Sequence, residues 1–330
     1  FPYASISLSL SDAGLVVLYG MIAALTVLAL LSPDKRRALW QGAQNRFPQN
    51  AAMGGLALAT VVAWFMVLQL PDDKLRVTFL DVGQGDSILI ETPGGVQILV
   101  DGGPEGSALL SELGRQLPFW DRTLDLVVLT HPDEDHLTGL VAALERYRVR
   151  AVIAREHLPK EDLVDAWEMA LQAEDATFVR GEAGVCVELS DGVTLDVLHP
   201  GPDPLQVDEA STNNDSIVVR LVYADVAFLL TGHIEVAVER ELVRSGAYLR
   251  SSVLKLPHHG SNTSSSRAFL DAVRPQVVVV SVGSDNDFGH PSRDVLERLD
   301  KDTLVFRTDE NGTVSITSDG HKLWIDADRD

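Results

Sequence analysis

Two stretches of twenty residues without a single charge, 13–32 (AGLVVLYGMIAALTVLALLS) and 51–70 (AAMGGLALATVVAWFMVLQL), constrain this chain before anything else does. Twenty residues of α-helix rise about 30 Å, the thickness of a bilayer's hydrocarbon core. Buried core helices normally keep a polar face, and these runs have none. The sequence therefore predicts a membrane segment, 1–74, with two transmembrane helices. A cleaved signal peptide fits badly, because there are two such runs and the first lacks a basic start. Between them, 33–50 carries Lys35, Arg36, Arg37 and Arg46 against Asp34 alone. By the positive-inside rule that loop faces the cytoplasm, and whatever follows the second span lies outside the membrane. The expectation is a multi-pass cell-membrane protein with an extracytoplasmic domain, 75–330. The start on Phe1 rather than Met reads as the tail of a longer membrane protein.

The formal charge of −21 is unevenly spread. Residues 1–74 hold five basic and four acidic residues, whereas 75–330 hold 22 basic and 44 acidic. The two regions suit different surroundings, and the acidity of the second argues against a nucleic-acid coat protein or a polybasic membrane binder. A single cysteine excludes a disulfide framework or a Cys-rich metal knuckle. In VCVEL, Cys186 reads as a small apolar strand residue.

From Leu75 the pattern changes to short β-rich runs: 76–82, 86–91, 96–101, 124–130, 149–154, 193–199, 216–223, 226–232, 252–257 and 276–282. Helices are expected at 106–117, 137–147, 161–173, 234–245, 264–273 and 292–299, the last capped by Ser292. LVFRT and TVSITS, on either side of Asn311-Gly312, read as a closing hairpin. Strands mixed with helices in this way predict two β-sheets packed together with helices on the outside.

The densest polar cluster, Thr130-His131-Pro132-Asp133-Glu134-Asp135-His136, follows the apolar run LDLVVL directly. Ligand-type residues at i, i+2, i+4 and i+5 cannot share one helix face, but they can wrap a cation where a strand turns into a helix. Imidazole and carboxylate are ordinary ligands for zinc and manganese. A solvated acidic loop, or acids drawn to a helix N-terminus, is the bland alternative. Against it, three more apolar runs end on polar residues: QILVD at Asp101, VAFLLTG at His233, and SVLKLP at His258-His259-Gly260-Ser261. Four such strand ends describe a site built on one edge of a layered fold. Other chemistries fail on inspection, since neither a GxxxxGK[ST] phosphate loop nor a GxSxG elbow exists. DVGQGD lacks the third glycine of a dinucleotide fingerprint.

FLDVGQGDSILI (79–90), LVDGG (99–103), THPDEDHLTG (130–139), LLTGHIE (229–235), LPHHGSNTS (256–264) and GHPS (289–292), in this order, resemble the metallo-β-lactamase-fold domain that ends the ComEC-type competence DNA-uptake channel proteins. The resemblance covers essentially all of 75–330, and the two apolar runs look like the last helices of that channel's membrane region. It implies a four-layer αββα fold preceded by two transmembrane helices. It also implies one or two divalent metal ions, Mn²⁺ or Zn²⁺. His131 and Asp133 would ligate the first ion; Asp135, His136 and His258 would ligate the second. Asp101 would brace the metal loop from behind. Asp133, where the wider superfamily has His, makes the set richer in oxygen and leans it toward Mn²⁺. The family's middle histidine has no clear counterpart, with His199, Asn213 and Asn214 nearby. The position after LLTG, commonly a bridging Asp, is His233 here. The implied activity is metal-assisted phosphodiester hydrolysis, with Asp135 and His136 catalytic and Lys255, His259, Ser261 and His290 at the substrate phosphate. The implied substrate is DNA at the cell surface, single strand or duplex, the strand not imported in natural transformation being degraded. The implied partners are the membrane-embedded remainder of the channel and other competence proteins. A non-catalytic domain that binds or gates DNA at the channel mouth is the second reading, favoured by the His233 departure.

Overall fold

The computed structural model describes residues 73–201 and 212–329, together with 32, 34–35 and 53–60. The chain divides into two units, Phe1–Pro71 and Asp72–Asp330. The expected spans 13–32 and 51–70 lie largely outside the described residues; of them, 53–60 are helical. Among the described residues, no helix is long and apolar enough to cross a membrane.

The second unit is built on two sheets. One has eight strands in the order β15 (Leu323–Ala327), β14 (Val314–Ser318), β1 (Leu75–Phe79), β2 (Ile88–Glu91), β3 (Gln97–Val100), β4 (Thr123–Val128), β5 (Arg148–Ala154) and β6 (Thr177–Arg180). The other has seven: β13 (Leu304–Arg307), β12 (Val277–Val280), β11 (Val253–Lys255), β10 (Val226–Leu230), β9 (Val218–Tyr223), β8 (Val193–His199) and β7 (Cys186–Glu188). The period of two along each strand explains the layering. In VVVV of β12, Val277 and Val279 face the core between the sheets, while Val278 and Val280 face the core under the helices. In β3, Ile98 and Val100 point to the first of these cores and Leu99 to the helices α1 (Gly106–Gln116), α2 (Glu134–Leu144) and α3 (Asp162–Ala173). Sheets apolar on both faces must be covered on both, which gives the expected helix–sheet–sheet–helix sandwich.

The expected hairpin around Asn311-Gly312 does not form. LVFR pairs in parallel with β12, whereas VSITS pairs with β1 and β15 in the other sheet. The intervening Thr308–Asn311 is a helical turn that carries the chain from one sheet to the other. The two runs looked like hairpin arms because adjacency in sequence does not say which sheet has an edge to offer. Ser292 does occupy the N-cap of the helix that follows, but its hydroxyl donates to Asn262 Oδ1 instead of capping. Cys186 lies on an exposed face of β7, where Asp196 pushes its thiol up to about 11, far from a reactive thiolate.

Candidate metal centre

Four strand ends meet at one edge of the sandwich. β3 delivers Asp101, β4 the segment Thr130–Asp133, β10 His233, and β11 the turn Pro257–Gly260. α2 starts at Glu134 and buries the stripe His136, Leu137, Leu140, Ala143 and Leu144 against the sheet. His136 therefore points inward with Leu140, four residues on, while Asp135, one position round the helix, stays 27% exposed. Two glycines set the depth of this helix. A Cβ on Gly139 would lie 1.8 Å from the Gly102 carbonyl oxygen, and one on Gly102 would lie 2.3 Å from the Leu140 nitrogen. That contact laces the Asp101 loop to the first turn of α2, through Gly102 N–H to His136 C=O at 2.7 Å.

The protons of the imidazoles are assigned by their partners. Asp101, 1% exposed, accepts from Thr130 N–H at 2.8 Å, from the Thr130 hydroxyl at 2.7 Å and from His136 Nδ1 at 2.7 Å. The Thr130 oxygen, its proton given to Asp101, accepts from His131 Nδ1 at 3.0 Å. His259 Nδ1 donates to the Ser281 carbonyl at 2.6 Å. All three rings thus carry their proton on Nδ1 and turn an Nε2 lone pair toward His233. The approaches are 3.0 Å from His131 to His233 Nδ1, and 3.0 and 2.8 Å from His136 and His259 to His233 Nε2. A neutral His233 has one N–H to share among three lone pairs. Burial, then His131 and His136, holds its pKa well below the ordinary imidazole value, so a second proton is not available. Asp135 Oδ2 adds a carboxylate oxygen 3.1 Å from His259 Nε2. More lone pairs than protons, converging within 4.8 Å for His131, Asp135, His136 and His233, is a donor set suited to a divalent cation. A buried carboxylate, Asp86, stands beside it within ligand distance of His233 and His259, and its Oδ1 makes no hydrogen bond.

The structure sorts the residues singled out in the sequence. His131, Asp135, His136 and His233 come together, and Asp101 sits behind His136. Asp133 stays outside: its carboxylate accepts from Thr212 and lies 3.5 Å from His131 Nε2. The two adjacent histidines stand opposite to expectation. His259, expected at the substrate, is in the cluster, while His258, expected as a ligand, lies at the pocket with its ring stacked on His233 at 4.5 Å. Both adopt left-handed backbone, φ 48° and 50°, which turns the chain sharply after β11. Burial, then the His259 and His290 imidazoles, lowers His258 to about 4. Lys255, expected at the phosphate, is 1% exposed and commits its ammonium to Asp86 and, at 3.2 Å, to the Gly232 carbonyl. Ser261 is buried and shares its hydroxyl with Thr263. His290 reaches the rim. His199 does not join; its Nε2 donates to the Asn214 carbonyl at 2.9 Å. The donors are consequently richer in nitrogen than expected. Asp86 went unnoticed in the sequence, and Ser216, within NNDS, reads as a capping or turn residue. Asp86 ends DVGQGD and reads there as the first residue of a strand, while Ser216 accepts the His233 N–H at 3.0 Å and sets that residue's position.

The cluster ties stability to pH. Burial, then neighbouring imidazoles and Lys255, keeps His136 and His233 neutral in the fold, well below the ordinary 6.5. The unfolded chain takes up protons on both as pH falls through about 6.5 and the folded chain does not, so this stability is complete above that pH and lost below it. Each group contributes about 1.4 kcal/mol per pH unit, offset in part by Asp101, whose carboxyl is held well above its ordinary range by burial and Asp86 and so takes up a proton in the fold first. Urea unfolding of the full chain in chelator is expected to show a midpoint that falls between pH 7.5 and 5.5. A flat midpoint contradicts the assignment.

The sequence pattern of the metallo-beta-lactamase superfamily matches residues 80–284. ComE operon protein 3 of Bacillus subtilis is 28% identical over 309 residues, 88% of this chain and 38% of that protein. Competence protein ComA of Neisseria gonorrhoeae is 33% identical over 250 residues, 74% of this chain and 32% of that protein. The chain spans about a third of the length of these relatives. Among solved structures, the metallo-beta-lactamase fold protein YhfI of Bacillus subtilis superposes with a TM-score of 0.48 at 13% identity, over 77% of this chain and 100% of that one. With a layered αββα core, an imidazole-rich cluster at one sheet edge and a superfamily pattern matched over more than half of its length, this chain belongs to the metallo-beta-lactamase superfamily, and it is similar to competence proteins over most of that length.

Proposed function

We propose that the chain is a metal-dependent phosphodiester hydrolase, a deoxyribonuclease that degrades the non-imported DNA strand from the outer side of the cell membrane, anchored by helices at 13–32 and 51–70. The observation that carries the reading is the convergence of three imidazole Nε2 lone pairs on His233, with the Asp135 carboxylate 3.6 Å from the same ring, in a pocket that His233 helps to line. His131, Asp135, His136 and His233 would hold a Zn²⁺ or Mn²⁺ ion, with His259 beside them, and the ion would supply Lewis acidity and lower the pKa of a coordinated water. The chain's own contribution is positional. Asp101 and Thr130 fix the rings of His136 and His131, the Ser281 carbonyl fixes His259, and the burial of these three rings excludes bulk water from the cluster. The Asp135 side chain is 27% exposed, and its second carboxylate oxygen, the one not turned to the rings, can take the proton of an attacking water.

His233 decides between this reading and a non-catalytic DNA-binding or gating domain. A bridging carboxylate gives each of two cations an oxygen and offsets their repulsion, whereas a neutral imidazole gives one nitrogen to one cation. Metal analysis of the full chain beside a nuclease assay is expected to find one tightly held ion and metal-dependent cleavage. His233→Asp is expected to raise occupancy toward two and to increase cleavage at limiting metal. One bound ion without cleavage in either version supports gating. Two tightly held ions in the unmodified chain, or activity lost on introducing Asp, show that His233 belongs to a rearranged, competent site.

A further inference from the structure

The metal pocket, about 360 Å³, is lined by Asp133, Glu134 and Asp135, and neither Lys nor Arg is among its described lining residues. The buried Lys255 is bonded to Asp86 and does not compensate. Among the described lining residues nothing attracts a polyanion unless a cation is bound, which favours affinity drawn from contacts that are not electrostatic. One such surface is present. Phe288 stands 72% exposed on the rim, its ring within 14° of parallel to His290 at 5.8 Å. From there His290 lies 5.8 Å from His258, and His258 stacks on His233 at 4.5 Å, so aromatic rings lead from the rim to the cluster.

A single exposed Phe is ordinary on a protein surface. This one is held in place. Asn286 accepts the His290 N–H at 2.9 Å and donates to the Gly283 and His290 carbonyls at 3.0 and 3.1 Å, while Gly283 N–H donates to Gln84 at 3.1 Å. The loop is thus organised before any ligand arrives, which lowers the entropic cost of using it. Asp287 immediately before Phe288, and Asp285 two residues further back, repel a phosphate and leave the ring face as the attractive feature.

From this we infer that Phe288, backed by His290, is a stacking platform for an unpaired nucleobase beside the scissile phosphate, so that the site takes single-stranded nucleic acid. The inference rests on the reading of the site as a phosphodiester hydrolase. A base in a duplex is already stacked on its neighbours and must be freed to reach the ring, whereas an unpaired base offers its face at no such cost.

The test uses the metal-loaded full chain and three fluorescein-labelled probes: a single-stranded oligonucleotide, the same strand made abasic, and the duplex. Binding is read by anisotropy and cleavage by gel. Phe288→Ala is expected to weaken binding and raise KM for the single strand about tenfold. Phe288→Trp restores both, and wild type and variant converge on the abasic strand. If wild type cleaves and Phe288→Ala matches it on the single strand, the platform is overturned and the hydrolase reading stands. If wild type binds with this Phe288 dependence but cleaves nothing, the platform stands and the hydrolase reading falls. Absence of both binding and cleavage overturns both.

Discussion

Asp135→Ala combined with His136→Ala is expected to reduce metal-dependent phosphodiester cleavage to background and to strip the tightly held ion from the purified full chain. The two side chains supply the carboxylate oxygen of the cluster and one of its three outward-anchored imidazoles. With both gone, a cation keeps two or three nitrogens and fills the remaining positions with water. The fold is expected to survive. His136→Ala leaves Asp101 with its two Thr130 hydrogen bonds, so the loss is about 1–3 kcal/mol, the cost of one missing partner at a buried acceptor. Asp133→Ala provides the contrast, because that carboxylate is held by Thr212 outside the cluster; its effect on bound metal is expected to be far smaller. Cleavage unchanged in the double variant, with Mn²⁺ or Zn²⁺ added, would show that the loop is structural and would end the nuclease reading.

Lys255→Met is expected to destabilise the second unit by about 3–5 kcal/mol, since it strands Asp86 as an uncompensated buried charge. Lys255 and Asp86 are 1% and 2% exposed, and the Asp86 Oδ1 already lacks a hydrogen bond, so no solvent screens the loss. Adding Asp86→Asn removes the stranded charge and is expected to recover much of the difference, because partners in contact are not additive. Urea unfolding of the wild type, the single and the double variant measures this. A Lys255→Met variant of wild-type stability with a raised KM would return Lys255 to the substrate phosphate, where the sequence had suggested it.

The layered architecture was legible because it follows from periodicity. Short apolar runs rich in β-branched residues, such as VQILVD and QVVVVSV, suit strands covered on both faces, and the intervening amphipathic stretches supply the covers. What failed was pairing: LVFR and VSITS look like neighbours in the chain and belong to different sheets. Pairing depends on which edges are open once the other strands are in place, and no local pattern carries that information.

Residue types and their order were enough to say which chemistry is available here: histidines and carboxylates at the ends of four apolar runs, and an acidic domain following two charge-free runs. Only the tertiary structure decided which members of that set meet. His258 and His259 are adjacent and chemically identical, and two successive left-handed residues send the second into the cluster and the first to the pocket. Asp133 and Asp135 differ by two positions, and the turn of α2 places one against Thr212 and the other at the cluster. Lys255 looks like a phosphate contact in a string of letters and is in fact half of a buried ion pair. The physical reason is common to all three. Residue type sets what a side chain can bind, but the backbone angles of one or two residues set where it points, and those angles are decided by packing across the whole sandwich.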